Sequence, residues 1–491
     1  MSGAFPEGAW LDEKPTSVNS GIFEYQWRFN MRYRLIASAS LVCAPVLWAQ
    51  SDLPIHSQKL SNGLEVIVVE NHAVPIVNVE LVVKNGGFTE TPEYNGLSHL
   101  YEHMFFKANR TIPSQERYLQ RLRELGGSWN GSTSDEVVNY FVTVGTDSLV
   151  PAMHFMEDAI RYPLFKQEEL VRERPVVLGE FDRNEANPYF HLGRAVDTIL
   201  WTPGYYSRKN VIGNRQIIIT ATQQKMNTIK DRYYIPNNTA LILAGDITPA
   251  RGFALAQQVF GAWPRGPDPF ATPIPNPPPL TRSSAVIVEK PVNGAALSMV
   301  WQGPSVGADP AATYAADLLS TVLRNPTSKF HKRLVDSGLT FDVGLGYYTL
   351  NHVGPITAFA QVAPEKILEA RRAILEELSK LADTSYITTK ELSAAKRQLG
   401  INAIYEREQS TNWSHTIGFW WSVAGLDYYR SYVPNMQRAT KEDIARYARD
   451  YIIGKPFVTG VLISPDARAK LNLTPESVLA AGGFAGAGGA K

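Results

Sequence analysis

The sequence predicts an α+β protein made of two homologous α/β-sandwich halves, a duplicated unit joined by a proline-rich linker. Three observations carry this. At 491 residues the chain exceeds one ordinary core and calls for two to four domains. Strand-like and helix-like stretches occur on both sides of a proline-dense segment, "WPRGPDPFATPIPNPPPLTRS" at 263–283, which excludes helix or central strand. The two sides also correspond. "RYYIPNNTALILAGDI" has the layout of "DYIIGKPFVTGVLISPD", with Tyr233 and Tyr451 218 positions apart, and Gly86 of "VVKNGG" lies 217 positions before Gly303 of "VWQG". Two landmarks whose shifts agree to within one position argue for a repeat.

Taken in order, residues 1–30 precede a pattern that starts at Met31: Arg32 and Arg34, an uncharged apolar run from Leu35 to Trp48, then Ala49 before a polar segment. This is the layout of a secretory signal, too short to span a bilayer. The expectation is therefore an upstream extension at 1–30 with the true start at Met31, a signal over 31–49, and a periplasmic or secreted chain beginning near Gln50. Leu47 departs from the small residue preferred three positions before the cut. Cys43, the single cysteine, falls inside the signal. Disulfides and thiolate metal sites are thereby excluded, and any metal must be held by histidine and carboxylate.

Residues 50–262 form the first half. "GLEVIVVEN" and "PIVNVELVVKNGG" read as strands, "IPSQERYLQRLRELGG" as a helix ended by glycines, and "SWNGSTSDEVVNYFVTV" again as strand. After the linker at 263–283, the second half, 284–491, offers "SAVIVEKP" and "GAALSMVWQG" as strands. "ATYAADLLSTVLR" and "EKILEARRAILEELSKLAD" read as helices, and the chain closes on a Gly/Ala-rich tail. With 44% hydrophobic residues and 48 basic against 47 acidic side chains, the composition is globular and supplies no field for nucleic acid. No phosphate loop, serine elbow or nucleic-acid module is present, and the mature chain has no expected membrane span.

The chemistry-bearing stretch is "HLYEH". On a helix His99, Glu102 and His103 share one face, so two imidazoles can bind one zinc while the carboxylate reaches a water in an open position. A third ligand should come from another element, and "EELVRERPVVLGEFDRNEANP" offers Glu173 and Glu180, seven residues apart. Most such acidic runs are solvated helix faces. Glu180, however, is embedded in "PVVLGEF", where an unpaired carboxylate is costly. The repeat shift carries the histidines onto 315–321, which has none, so the chemistry belongs to the first half.

"GLSHLYEHMFFK", "GGSWNGSTSDEVVNYF" and "ERPVVLGE" together resemble the inverted-motif zinc peptidases of the pitrilysin and insulinase type, which include the mitochondrial processing peptidase. The resemblance spans roughly residues 54–465 and is strongest in the first half. It implies a clamshell around a chamber, with one Zn2+ per chain held by His99, His103 and Glu180. Glu102 would be the general base, and Glu173 would hold a ligand histidine in the right tautomer. Asn130 would lie on an edge strand to which an extended peptide adds.

This chain departs from the pattern in two places. Pro175 and Gly179 fall in the third-ligand segment, where each costs a helix roughly 3 and 1 kcal/mol; Pro175 is expected at a kink or first turn, and Gly179 where that helix approaches the zinc helix. In the second half, "SKFHKRLVDSGLTFDV" has Leu334 and Phe341 where the family's substrate-binding arginine and tyrosine belong, with Arg333 one position away and Tyr347 and Tyr348 as possible substitutes. The expected function is a zinc-dependent endopeptidase subunit acting on peptides or unfolded segments, completed by a homologous partner that supplies the arginine and tyrosine. The alternatives are a dedicated maturation protease for one partner peptide and a non-catalytic scaffold subunit of the same fold.

Overall fold

The computed structural model describes residues 53–482; the proposed extension and signal, Cys43 and the end of the Gly/Ala-rich tail lie outside these. In chain order the strands are β1 (Ile55–Lys59), β2 (Glu65–Glu70), β3 (Ile76–Val83), β4 (Ser128–Thr133), β5 (Val138–Gly145), β6 (Thr239–Gly245), β7 (Ser284–Glu289), β8 (Ala295–Gln302), β9 (Asp342–Tyr347), β10 (Pro355–Val362) and β11 (Phe457–Ile463). The helices that matter below are α1 (Leu97–Phe105), α2 (Gln115–Glu124), α3 (Leu149–Arg161), α4 (Gln167–Ala186), α5 (Pro188–Leu200), α6 (Pro310–Arg324) and α7 (Ser410–Val423). No helix among the described residues is long and apolar enough to cross a membrane.

The strands form two open sheets, ordered β1-β2-β6-β3-β5-β4 and β7-β11-β8-β10-β9. Without the extra edge strand β1 the two have one topology: a parallel first pair, β2 with β6 and β7 with β11, followed by antiparallel neighbours. Their registers superpose too. Val83 opposes Thr239 and Val138, while Trp301 opposes Phe457 and Ile356, each partner 218 positions later. The molecule is therefore an α+β protein of two repeated halves, and the 218-position shift read from Tyr233 and Tyr451 is the shift of the strand ladders. Residues 264–283 carry neither helix nor strand, as their prolines require.

Each half covers a sheet of the other. In α5, Leu192, Val196 and Leu200 recur every fourth residue and bury against Ala296, Val300, Val458 and Leu462 of the second sheet. In α7, at the corresponding place in the repeat, Trp413, Ile417 and Trp421 do the same against Ile67, Val82 and Ile242 of the first sheet. Two glycines let these helices lie close: a Cβ on Gly460 would stand 2.5 Å from Val196 Cγ2, and one on Gly418 2.7 Å from Val82 Cγ2.

The α4 helix places Pro175 away from a first turn and Gly179 away from α1. Pro175 is its ninth residue and lies inside an unbroken 20-residue helix, so it marks no first turn. It is tolerated because it faces solvent, where the carbonyl it leaves without an N–H can be hydrated. Gly179 is exposed and a Cβ there would meet nothing within 4 Å, so it mediates no close approach to α1.

Candidate metal centre

The α1 helix is short, and its N-terminus is fixed from outside. The buried Glu90 carboxylate accepts hydrogen bonds from the backbone N–H groups of Gly96 (2.6 Å) and Ser98 (2.7 Å) and from the Asn95 amide (3.2 Å). These donors include groups a helix start leaves unpaired. Burial nonetheless pushes the Glu90 pKa up to about 7. The apolar side of α1 is anchored by Phe105 stacked on Tyr140 of β5 (3.7 Å) and by Tyr101 stacked on Tyr234 (3.9 Å).

That placement brings α1 against α4 across 77 positions of chain. His99 Nε2 lies 3.3 Å from His103 Nε2 and 3.3 Å from Glu180 Oε2, and the third side, His103 Nε2 to Glu180 Oε2, is 3.6 Å. Among the described residues these are the histidine and carboxylate groups whose ligand atoms converge in this way. A tetrahedral zinc at about 2.0–2.1 Å from N and O ligands sets them about 3.3–3.4 Å apart, so the triangle has the right size. Glu180 Oε2 is buried and has no hydrogen-bond partner, which is what an atom reserved for a cation looks like. The residues fit zinc.

The surroundings set the two imidazoles apart, His99 neutral and His103 protonated at neutral pH. Burial, with help from His103, lowers the His99 pKa to about 3, so its imidazole is neutral. For His103 burial also acts downward, but the hydrogen bond to Glu173 and the nearby carboxylates of Glu180 and Glu102 outweigh it and raise the pKa to about 9. His103 Nδ1 sits 2.9 Å from Glu173 Oε1, which fixes a proton on Nδ1 and turns Nε2 toward His99 and Glu180. The other Glu173 oxygen pairs with Lys107 Nζ at 2.5 Å. Sequence reasoning missed Lys107, although it follows His103 by four positions and so could be placed on the same side.

Glu102 points from the same helix toward β4. It is buried, which pushes its pKa up, and it accepts one hydrogen bond, from Thr133 Oγ1 at 2.8 Å. Thr133 was also missed; the strand alternation that puts it on one face with Gly131 was the available signal. Gly131 leaves room here, since a Cβ would lie 3.1 Å from Glu102 Cγ. Asn130 has the opposite orientation. It pairs across with Phe141 and hence Glu80, on the face covered by α7, and its own amide oxygen accepts from the Gly131 N–H. β4 is the last strand of its sheet and is bonded only to β5.

In the second half the structure does not bring Arg333 to the centre. It lies exposed on the short π-helix Lys332–Asp336, and no hydrogen bond or ion pair joins it to the cluster. Leu334 is fully buried, Phe341 is 67% exposed, and the Tyr347 hydroxyl donates to the Pro304 carbonyl at 3.0 Å.

The architecture and this centre define a two-half peptidase fold, and comparison with known proteins gives its family. Residues 65–208 match the insulinase (peptidase family M16) model, and residues 220–399 match the model described as the peptidase M16 inactive domain. The chain belongs to the insulinase family of peptidases. All the centre's residues precede the inactive-domain match. The chain is 24% identical over 370 residues to an uncharacterized zinc protease of Rickettsia felis, covering 73% of this chain and 85% of that one. Among solved structures, a protease from Helicobacter pylori superposes with a TM-score of 0.74 at 22% identity, over 83% of this chain and 99% of that one. The periplasmic protease PqqL from Escherichia coli superposes with 0.69 at 19% identity, over 88% of this chain and 50% of that one.

Proposed function

We propose that the protein is a zinc-dependent endopeptidase whose metal is held by His99, His103 and Glu180 and whose general base is Glu102. One observation carries the reading: three buried or half-buried ligand atoms form a triangle of tetrahedral size, with a carboxylate on the same helix face held by a single donor. Zinc in that position supplies Lewis acidity to the attacking water and to the scissile carbonyl. Glu102 accepts the proton of that water as its oxygen bonds to the carbonyl carbon, and passes it to the leaving nitrogen as the C–N bond breaks. Glu173, paired with Lys107, holds His103 with Nε2 toward the centre. The free edge of β4, with Asn130 in it, is assigned to the substrate, which adds as an extended strand. Peptides and unfolded segments can supply such a strand; folded domains cannot.

The second half contributes no clamp of its own in this reading. Leu334 is in the core, Phe341 has no hydroxyl, and Tyr347 is already bonded. A homologous partner subunit supplies the arginine and tyrosine. The similarity to PqqL, a chain of which this one spans half, supports such a pairing across a chamber. The basic and apolar segment after Met31, with the likeness to a periplasmic protease, supports a periplasmic or secreted protein that starts near Gln50.

The test is metal analysis and cleavage of a fluorogenic peptide pool. The mature protein should carry about one zinc. Glu102→Gln should keep the metal and lose hydrolysis, and a wild-type rate in that variant refutes the general base. Alone the chain should cleave poorly, with turnover restored by its partner.

A further inference from the structure

The hairpin that carries Thr133 is gripped by the half without metal ligands. β4 has a neighbour on one side only, so its position depends on what holds its ends. Its turn, Ser134–Val137, rests on the first half through backbone N–H groups of Gly87 and Phe88 that donate to the carbonyls of Ser134 (3.2 Å) and Asp135 (2.9 Å). On the other side the buried Glu136 carboxylate accepts from the backbone N–H groups of Asn351 (2.6 Å) and His352 (2.7 Å), and it lies 3.0 Å from His352 Nδ1. Asn351 and His352 belong to the β9–β10 connection. Ser422 of α7 donates to the Glu136 carbonyl at 2.7 Å.

The loop that Glu136 holds is itself under constraint. Val353 has φ +54°, a left-handed conformation that a β-branched residue rarely adopts. The buried Lys209 ammonium pins it there, donating to the carbonyls of His352 (2.9 Å) and Val353 (2.8 Å). A loop kept in an unfavourable shape by two charged side chains of the first half makes a rigid stop. Along the strand, Asn139 of β5 contacts His415 of α7 at 3.2 Å, and Thr143 contacts Thr411 at 3.1 Å. The hairpin is thus tied to the second half at its tip and along its face.

We propose that Thr133 is the positioning residue of Glu102, and that the second half sets its place through Glu136. This rests on Glu102 being the general base. Among the described residues only Thr133 donates a hydrogen bond to the Glu102 carboxylate, so without it the side chain has several torsions by which to leave the line between water and substrate. The Glu136 latch stands three residues away along the hairpin, close enough to fix the hydroxyl. The half that carries no metal ligands then acts on catalysis by holding the base's support.

The experiment uses the zinc-loaded full chain in the preparation that gives peptide turnover. Thr133→Val, which keeps the shape and removes the donor, should lower kcat about tenfold to a hundredfold with KM and zinc content unchanged, and Thr133→Ser should restore it. Glu136→Gln should speed amide hydrogen exchange over residues 131–138 and lower kcat in the wild-type background, but not in the Thr133→Val background, because both act through one hydroxyl. Ser422→Ala repeats that cycle at smaller amplitude should Glu136→Gln not fold. Wild-type kcat in Thr133→Val, or an equal loss from the latch variant in both backgrounds, overturns the proposal. Hydrolysis by Glu102→Gln instead removes the base assignment itself, whereas an inactive Glu102→Gln beside a fully active Thr133→Val overturns only the positioning role.

Discussion

Replacing Glu173 by glutamine should separate two roles of one carboxylate. One oxygen orients His103 and the other pairs with Lys107, whose side chain is 12% exposed. Burial acts to raise the Glu173 pKa, but the hydrogen bonds with His103 and Lys107 hold it below the usual carboxylate range, so the group is ionised. Glutamine keeps the volume and loses the charge. Loss of an outer partner that orients a ligand histidine costs about 10–100-fold in metal affinity, or ~1.4–2.7 kcal/mol. The fold suffers separately, because Lys107 is left as a nearly buried ammonium without its carboxylate. Breaking a buried pair from one side costs about 3–5 kcal/mol, and the partial exposure of Lys107 puts the expectation near the lower end. Adding Lys107→Met removes the stranded charge. The double variant should therefore regain most of the stability while its zinc affinity stays low. Chelator competition reads the affinity, and urea unfolding of the metal-free protein reads the stability. Wild-type zinc affinity in Glu173→Gln, or no recovery of stability in the double variant, refutes this division of roles.

Zinc binding should also depend on pH through His103. Its pKa without metal is about 9, so at neutral pH a proton must leave for the ion to bind, and apparent affinity should fall about tenfold for each pH unit below that value. Calorimetry in buffers of different ionisation enthalpy should count about one proton released; pH-independent binding between 6 and 8 refutes it. At the seam between the halves, Gly460→Ala puts a methyl 2.5 Å from Val196 and 2.7 Å from Leu192, and should destabilise by about 1–3 kcal/mol as α5 is pushed outward. Gly344→Ala in β9 meets nothing within 4 Å and should be neutral or slightly stabilising, so equal melting shifts in the two variants would contradict the close packing of α5.

Much of this protein can be read from its sequence because period and spacing act within single elements. The i, i+3, i+4 spacing puts His99, Glu102 and His103 on one face of whatever helix forms, and prolines exclude regular structure from 264–283 wherever that segment runs. The repeat shift is likewise internal to the chain: the 218 positions between Tyr233 and Tyr451 reappear in the strand registers, while the glycine landmark, at 217, is out by one. The reading failed at Gly179, where a glycine in an apolar run suggested close approach and the structure puts it in solvent.

Which face meets which was decided only by the tertiary structure. The apolar stripe of α7 requires a cover, but nothing in "STNWSHTIGFWWSV" says that the cover is the sheet of the other half. Asn130 and Thr133 lie three positions apart on one strand. Only the placement of α1 over one side of that strand and α7 over the other gives Thr133 to Glu102 and leaves Asn130 facing away. The support around the metal ligands, from Lys107 and Thr133 to Glu90 and Glu136, came from the same source. A buried carboxylate is matched to its donors by where the apolar surfaces of the whole chain can close, and that closure is a property of the assembled layers that no local pattern contains.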